Sequence, residues 1–474
     1  MRHNLLSIIF FSLSALALTG LSSCSPHKSL MREDLVDMPA AYSEASEKTG
    51  HYNGRWWEQF NDAELNSLIS ESLINNPNIT QAIERLIQSQ SLILSAEAAR
   101  GVSANIDGSA GRSRQNILSR PITKNTYSLS AAAGYEIDAW GKLKSRSVAA
   151  GFDADASREE LHSLLISISA QITDLYFLAA EQQAQLALSD QTIASFEDTL
   201  QRVERRYRAG LVPALDLYQS RQNLSSAQAQ RPLYVQGRQQ ALNAISVLTG
   251  NFPSAGTMEL ADIPQDAPVI KQGIPSELLV DRPDIKAAFA RIQAADKRVA
   301  SAVADKMPSF KLMGTYGRSG DHAILDSPNI FWNILLQAAM PVIDSGRRSA
   351  EVSRTESRLR ELLAAYRGKV LTAYQEVEDA GSRITASEDR IIHLKNRVLS
   401  AENSHRLALD RYTQGLTDYL PVLTAQLSFF NAKSSLLTES RNLVSGRIQL
   451  ARALGGRWPE EAAEQITMDR GRTQ

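Results

Sequence analysis

The chain has 474 residues, with 51 Lys+Arg against 52 Asp+Glu, a net charge of −1, 43% apolar and 6% aromatic residues. So even a balance lacks the basic footprint of a nucleic-acid binder. A single cysteine, Cys24, excludes an intrachain disulfide or a thiolate cluster. The histidines (3, 27, 51, 162, 322, 393, 405) are scattered and form no HExxH spacing, so the pattern asks for neither a metal nor a catalytic centre. An Ala-, Leu-, Ser- and Gln-rich apolar content fits long helices better than a compact enzyme core.

The N-terminus reads as an address. Arg2 and His3 precede an apolar run from Leu5 to Leu18, too short to span a bilayer as a helix. Leu21-Ser22-Ser23-Cys24 then looks like a bacterial lipobox: an aliphatic residue, two small ones that let a peptidase reach the backbone, and a thiol to carry a diacylglycerol. An ordinary signal with a leftover cysteine is the alternative, but the one cysteine sits where a lipobox demands it. Residues 1–23 are thus a signal peptide, and 24–60 a lipidated linker in which Ala41–Gly50 has linker-like composition. Acylation at Cys24 gives stable membrane anchoring. Ser25, where Asp would retain a lipoprotein in the inner membrane, points by resemblance to outer-membrane sorting.

Length over 150 suggests three domains, but the chain repeats itself. Arg206-Tyr207-Arg208-Ala209-Gly210-Leu211 returns as Arg411-Tyr412-Thr413-Gln414-Gly415-Leu416 at an offset of 205. Asn76-Pro77-Asn78-Ile79 matches Arg282-Pro283-Asp284-Ile285, and Leu248-Thr249-Gly250 matches Leu454-Gly455-Gly456, both at 206. The first repeat covers 61–250 and the second 284–456. Residues 251–283 join them with prolines at 253, 264, 268, 275 and 283, a linker composition. The tail 457–474 shows no periodicity and is expected to be loose.

Each repeat carries the same elements. Ile79, Ala82, Leu86, Ser89, Ile93 and Ala96 have helical spacing, as do Ile285, Ala288, Ile292, Ala295, Val299 and Ala302. Two period-two stretches follow in each copy: 103–110 and 127–137, then 309–316 and 332–340. Each has one apolar and one mostly polar face. Beyond them an apolar position recurs every 3.5 residues from Leu359 to Tyr412, with Ser387 and His405 as the polar exceptions, and again from Ala154 to Tyr207. That is a coiled-coil seam on helices roughly 80 Å long at 1.5 Å per residue. Gly210 and Gly415 are placed to end these helices in a left-handed turn, with Leu211 and Leu416 as apolar residues that pack back. Pro213 is placed to open the first returning helix and Asp418 to cap the second. The returning helices cover 214–249 and 419–454.

Ten-residue strands with alternating faces behind an outer-membrane address fit a transmembrane β-barrel better than a half-buried soluble sheet. Four strands cannot close alone, and open edges are not tolerated in lipid. The barrel must therefore be shared: two chains give eight strands and a filled interior, three give twelve and room for a passage. The fold class is mainly α, with long antiparallel coiled-coil helices and four strands per chain contributed to a shared twelve-stranded barrel.

Trp56-Trp57-x-x-Phe60-x-Asp62-x-x-Leu65, Asn76-Pro77-Asn78-Ile79, Tyr135-Glu136-Ile137-Asp138-x-Trp140-Gly141-Lys142 and both Arg-Tyr-x-x-Gly-Leu turns, taken with the lipobox and the duplication, resemble the TolC-like outer-membrane factors of the OprM/NodT lipoprotein branch. The resemblance implies a homotrimer with a β-barrel and an α-helical barrel, serving as the exit duct of a tripartite efflux pump. It implies partners in a periplasmic adaptor and an inner-membrane transporter, no enzyme activity, and no cofactor beyond the lipid on Cys24. It places Gly210, Leu211, Gly415 and Leu416 at periplasmic tips that meet the adaptor. It makes Leu420 a lumen gate; Thr424 stands where the family often has an acid, which leaves Asp216 or Asp418 to supply a carboxylate nearby. The duct of a type I protein-secretion system and a non-conducting coiled-coil lipoprotein are the competing readings. A neighbouring ATP-driven exporter gene would favour the first, whereas the four strands argue against the second.

Overall fold

The computed structural model describes residues 26–29, 36, 38–40, 42, 54–117, 120–254, 258, 260–264, 275–320 and 329–471. The signal peptide, the lipobox, Cys24, Ala41, Ser43–Gly50 and most of the inter-repeat linker lie outside them. In chain order the elements are α1 (Ala63–Asn75), α2 (Pro77–Ala98), β1 (Ser103–Ile117), β2 (Arg120–Ile137), α3 (Lys142–Arg208), α4 (Ala214–Leu248), the short α5 (Leu278–Asp281), α6 (Pro283–Ala304), β3 (Ser309–Gly320), β4 (Ile330–Ala339), α7 (Arg347–Thr413), α8 (Tyr419–Leu454) and α9 (Trp458–Gly471). The duplication is visible element by element. Both long helices run for 67 residues. The chain divides into two compact units, one of Met1–Val36, Glu84–Arg158 and Ala287–Gly368, the other of Asp37–Ile83, Glu159–Lys286 and Lys369–Gln474.

The first unit holds the sheet, antiparallel throughout, in the order β1-β2-β3-β4. Its register converts the alternation of single strands into two faces. Ile106, Ala131, Tyr316 and Trp332 are paired across all four strands, as are Ala104, Ala133, Gly314 and Ile334. Leu336 joins Leu312 and Tyr135 on the same face. The opposite face carries Asn105, Thr315 and Asn333 on one rung and Glu136, Lys311 and Gln337 on another. A one-residue slip would exchange these faces, so the register is fixed by which face leaves water. The apolar face is open in one chain: Trp332 is 70% and Ile334 74% exposed. β1 and β2 extend beyond the period-two stretches into a polar segment that includes Arg112, Arg114 and Lys124, where no apolar face signalled a strand.

At the base of the sheet, the Tyr135–Lys142 motif makes the strand-to-helix joint. Asp138 accepts from the Leu143 and Lys144 amides at 3.1 and 2.7 Å and so caps α3. Trp140 donates its indole N–H to the Pro308 carbonyl at 2.7 Å. Lys142 meets Asp305 at 2.7 Å and Arg348 meets the same carboxylate at 3.1 Å, so the end of α6 ties together the starts of both long helices.

The second unit is helical. Both long helices contribute residues to both units, and every one of the sixteen seam positions of α7 from Leu359 to Tyr412 is at least partly buried. His405 keeps its place there by stacking on Phe429, with centroids 5.9 Å apart, and burial lowers its pKa. In α3 the seam positions Arg158 and Tyr207 are exposed, but Leu161–Glu181 is buried on several sides. An apolar window in α3 is long enough to cross a membrane, yet 61% of it is buried, as befits a core helix.

The repeated Asn-Pro-x-Ile and Leu-x-Gly motifs touch each other in this unit. Asn76 donates to the Leu248 carbonyl at 2.7 Å, and Arg282 donates to the Ala453 carbonyl at 2.8 Å, the equivalent position at an offset of 205. Gly250 and Gly455 close the contact with φ of +81° each; a Cβ would lie 2.6 Å from the Asn75 carbonyl oxygen and 2.7 Å from that of Asp281. The glycines thus correspond at 205, one residue away from the match read at 206. The Trp56–Leu65 motif is structural too. Asp62 caps α1 through the Glu64 and Leu65 amides and accepts the Tyr176 hydroxyl at 2.6 Å. The tail differs from expectation: residues 458–471 form α9, because Trp458 is buried edge-on against Trp57 at 4.7 Å. A single aromatic anchor leaves no periodic signal.

Candidate functional site

The two Arg-Tyr-x-x-Gly-Leu turns lie in the helical unit. In the first, the Gly210 amide bonds the Tyr207 carbonyl and the Leu211 amide bonds that of Arg206, both at 2.9 Å. The second repeats this with Gly415 to Tyr412 at 3.0 Å and Leu416 to Arg411 at 2.9 Å. This double bond pattern is a Schellman cap, which needs a left-handed residue at C′; Gly210 and Gly415 have φ of +70° and +77°. A Cβ at Gly210 meets nothing within 4 Å, so the backbone alone requires glycine there.

The leucines after the glycines do not pack back. Leu211 is 66% and Leu416 64% exposed. Val212 instead turns inward onto a core of Phe196, Val203, Leu217, Tyr412, Tyr419 and Val422. With that core filled, the two leucines are left facing outward, an apolar pair that the turn itself does not use.

Arg206 clasps the two turns together. Its guanidinium donates to the Tyr412 carbonyl and lies over the Tyr412 ring, 4.5 Å from the centroid. Asp216 is half-buried beside it. Burial, and then the neighbouring Asp418 carboxylate, raise the Asp216 pKa, while Arg206 works in the opposite sense. Asp216 and Asp418, one from each repeat, are therefore brought into electrostatic range of each other. Asp418 occupies the N-cap position of α8 as expected, but its side chain makes no capping bond. Pro213 is likewise the N-cap of α4, immediately before the helix that the sequence placed at 214–249.

Leu420 and Thr424 share the exposed face of α8, with Leu420 61% exposed. The Thr424 hydroxyl donates to the Leu420 carbonyl at 3.0 Å, so it serves its own helix. Leu215, at the equivalent place in the first repeat, is 63% exposed. Sequence reasoning passed over Leu215, although the offset of 205 from Leu420 identifies it. Among the described residues no group of three or more His, Cys, Asp or Glu is arranged to hold a metal ion.

The sequence model of the family described as outer membrane efflux protein matches residues 68–251 and 274–456, the two repeats. The chain is 30% identical to the outer membrane protein OprJ of Pseudomonas aeruginosa over 85% of its length and 86% of that protein. It is 27% identical to the toluene efflux pump outer membrane protein TtgI of Pseudomonas putida, over 95% and 98% of the two chains. It is 26% identical to the cation efflux system protein CusC of Escherichia coli, over 94% and 98%. The solved structure of the outer-membrane channel OprN, 24% identical, superposes with a TM-score of 0.84 over 92% of this chain and 100% of that one.

Proposed function

We infer, for a chain that belongs to the outer membrane efflux protein family, that three copies close one twelve-stranded barrel and form a passive, gated exit duct for small molecules. The protein is the outer-membrane channel of a tripartite efflux pump, with membrane-spanning strands and a long helical extension in the periplasm. Service in such a pump entails an adaptor and an inner-membrane transporter as partners.

The observation that carries the trimer is the sheet: four strands, two edges (β1 and β4) with no partner strand among the described residues, and one continuous apolar face. Unpaired edges cost several kcal/mol per group in hydrocarbon, so they must be met by other copies. On the apolar face of β2, Tyr127 and Tyr135 are eight residues apart, which is ~20 Å across the bilayer for a strand tilted by ~40°. Phe310 pairs with Ile137, next to the Tyr135 end, while Tyr316 and Trp332 share the Ala131 rung midway between the two tyrosines, so aromatic side chains run along the apolar band. The polar face, with Asn105, Ser128, Thr315 and Asn333, lines the passage.

At the two Arg-Tyr-x-x-Gly-Leu turns, Leu211 and Leu416 offer the adaptor two exposed apolar side chains held by glycine turns. Leu420, with Leu215 beside it in the repeat, closes the lumen. Thr424 leaves that level without an acid, and the coupled Asp216 and Asp418 supply the nearby carboxylates. Conduction needs no chemistry, so the protein acts without a catalytic residue. Cys24 carries the lipid that anchors the N-terminus. The relatives are named for cargoes as different as toluene and cations, which supports a duct that leaves selection to the transporter.

Planar-bilayer recording of the full-length protein tests the reading. A small conductance that rises when Leu420 is replaced supports it. A chain that inserts and never conducts is instead a spacer.

A further inference from the structure

A carboxylate is buried where neither the strands nor the turns require one. Asp296, in the middle of α6, is 1% exposed. The His27 ring donates from Nε2 to its Oδ1 at 3.0 Å, the Ser29 hydroxyl donates to the same oxygen at 3.0 Å, and the Lys297 ammonium lies 3.4 Å from its Oδ2. Lys297 is the next residue of the helix, and its side chain is 38% exposed, whereas that of His27 is 8% exposed against the carboxylate. Burying a charge is costly unless it is paired and hydrogen-bonded. Both hydrogen bonds to Oδ1 come from residues 27 and 29, so the burial of Asp296 is stable only with that segment in place. Burial by itself raises the Asp296 pKa; the His27 and Ser29 hydrogen bonds, and then the charges of His27 and Lys297, bring it below the usual carboxylate value.

The duplication isolates the feature. At the offset of 206 that aligns α2 with α6, Asp296 corresponds to Gln90, which is exposed. Of the two copies, the acid stands in the one that meets the N-terminal segment.

The contact sets the reach of whatever Cys24 carries. His27 is three residues after Cys24, a span of at most ~10 Å for an extended chain. The next buried side chain among the described residues is Tyr42, 5% exposed and stacked on Tyr374 with centroids 5.4 Å apart. It is eighteen residues after Cys24, a span of up to ~60 Å. The two contacts also differ in what they fasten. Asp296 belongs with His27 to the unit that holds the sheet, and Tyr42 belongs with Tyr374 to the helical unit. Along α6, Asp296 is nine residues before Asp305, which joins the starts of α3 and α7 at the base of the sheet; that is ~13 Å of helix.

We propose that Asp296 is the seat of the lipid-bearing segment: by holding His27 and Ser29 it shortens the tether of the Cys24 lipid from ~60 Å to ~10 Å and fastens it to the unit that carries the strands. The proposal rests on the lipid inferred above for Cys24. Acyl chains and sheet then enter the bilayer from one unit, and α6, not the helical unit, bears a pull on the lipid.

The experiment is a pulsed electron-resonance distance measurement on the full-length protein purified in detergent, with mass spectrometry of its N-terminal peptide. Nitroxides are placed on Lys28→Cys and Ser349→Cys, two exposed positions of this unit; an acylated Cys24 takes no label. The distance distribution should be narrow. Asp296→Gln, which installs the residue of the first repeat, should widen it at least threefold. Cys24→Ala should leave it narrow, because the seat and not the lipid holds the segment. A distribution that Asp296→Gln leaves narrow, or that Cys24→Ala widens, overturns the seat. A narrow distribution on a chain whose N-terminal peptide carries no acyl group overturns the lipid reading, and the tether with it, while the contact stands. Should Asp296→Gln fail to accumulate, His27→Ala with Ser29→Ala removes the segment's side of the contact and should widen the distribution in the same way; a narrow distribution there also overturns the seat.

Discussion

Replacing Leu420 by serine separates gating from folding. Leu420 is 61% exposed in the single chain, so about three-fifths of the stabilisation that full burial of a leucine gives, roughly 1.5–3 kcal/mol, is still to be gained when the lumen closes. That is ~1–2 kcal/mol per chain and ~3–5 kcal/mol for three chains. At about 1.4 kcal/mol per factor of ten, Leu420→Ser shifts the closed-to-open ratio by roughly two to four orders of magnitude. The same exposure means that the fold loses little, about 0.5 kcal/mol or less for a surface change. Single-channel recording in planar bilayers should therefore show a larger mean conductance, with thermal melting where it was. Leu215→Ser should act in the same direction. Unchanged conductance in both variants, with the protein inserted and trimeric, would refute an apolar gate at this level.

Arg282→Ala should lower the melting temperature sharply: it strands the Asp284 carboxylate, Glu376 at 2.7 Å and the Ala453 carbonyl, and breaking a buried pair costs about 3–5 kcal/mol. Acid should weaken the same hub. Burial alone would raise the Asp284 pKa, but its hydrogen bond and charge pairing with Arg282 bring it below the usual carboxylate value. Its contribution is therefore present above the unfolded pKa, about 3.9, and fades as pH falls through the depressed folded value; melting curves of wild type and Asp284→Asn should differ at pH 7 and draw together as the pH is lowered through that value. Gly210→Ala, which meets nothing within 4 Å, should cost the backbone strain of a left-handed residue, about 1–2 kcal/mol. Gly250→Ala should cost more, since its Cβ also collides with the Asn75 carbonyl at 2.6 Å; equal losses in denaturant would contradict the geometry. Leu211→Ser with Leu416→Ser should weaken capture of the adaptor on a biosensor surface while leaving melting unchanged.

The elements with a long period were legible from sequence. The coiled-coil seam, the alternating strands and the two glycine turns appear close to where spacing placed them, because each is set by repeated burial of one face or by a backbone angle that glycine alone adopts readily. What escaped were contacts between separated motifs. Asn76-Pro77 and Leu248-x-Gly250 read as two repeats, whereas the fold makes them one joint, closed by a side chain on a carbonyl. The polar extensions of β1 and β2 carry no apolar face, and α9 is held by Trp458 on Trp57; neither leaves a period to read. At the turns, sequence assigned Leu211 and Leu416 to packing that Val212 in fact supplies in the first copy. Leu215 required the offset to be applied to the gate as well as to the turns. The resemblance of motifs supplied the architecture, and the register of the sheet supplied its physical reason.

The most direct measurement is the mass of the full-length protein extracted from outer membranes and counted particle by particle in detergent. The account predicts particles of three chains, since that number pairs the β1 and β4 edges and leaves a twelve-stranded passage. A population of one or two chains would leave those edges open or the barrel filled, and would contradict it.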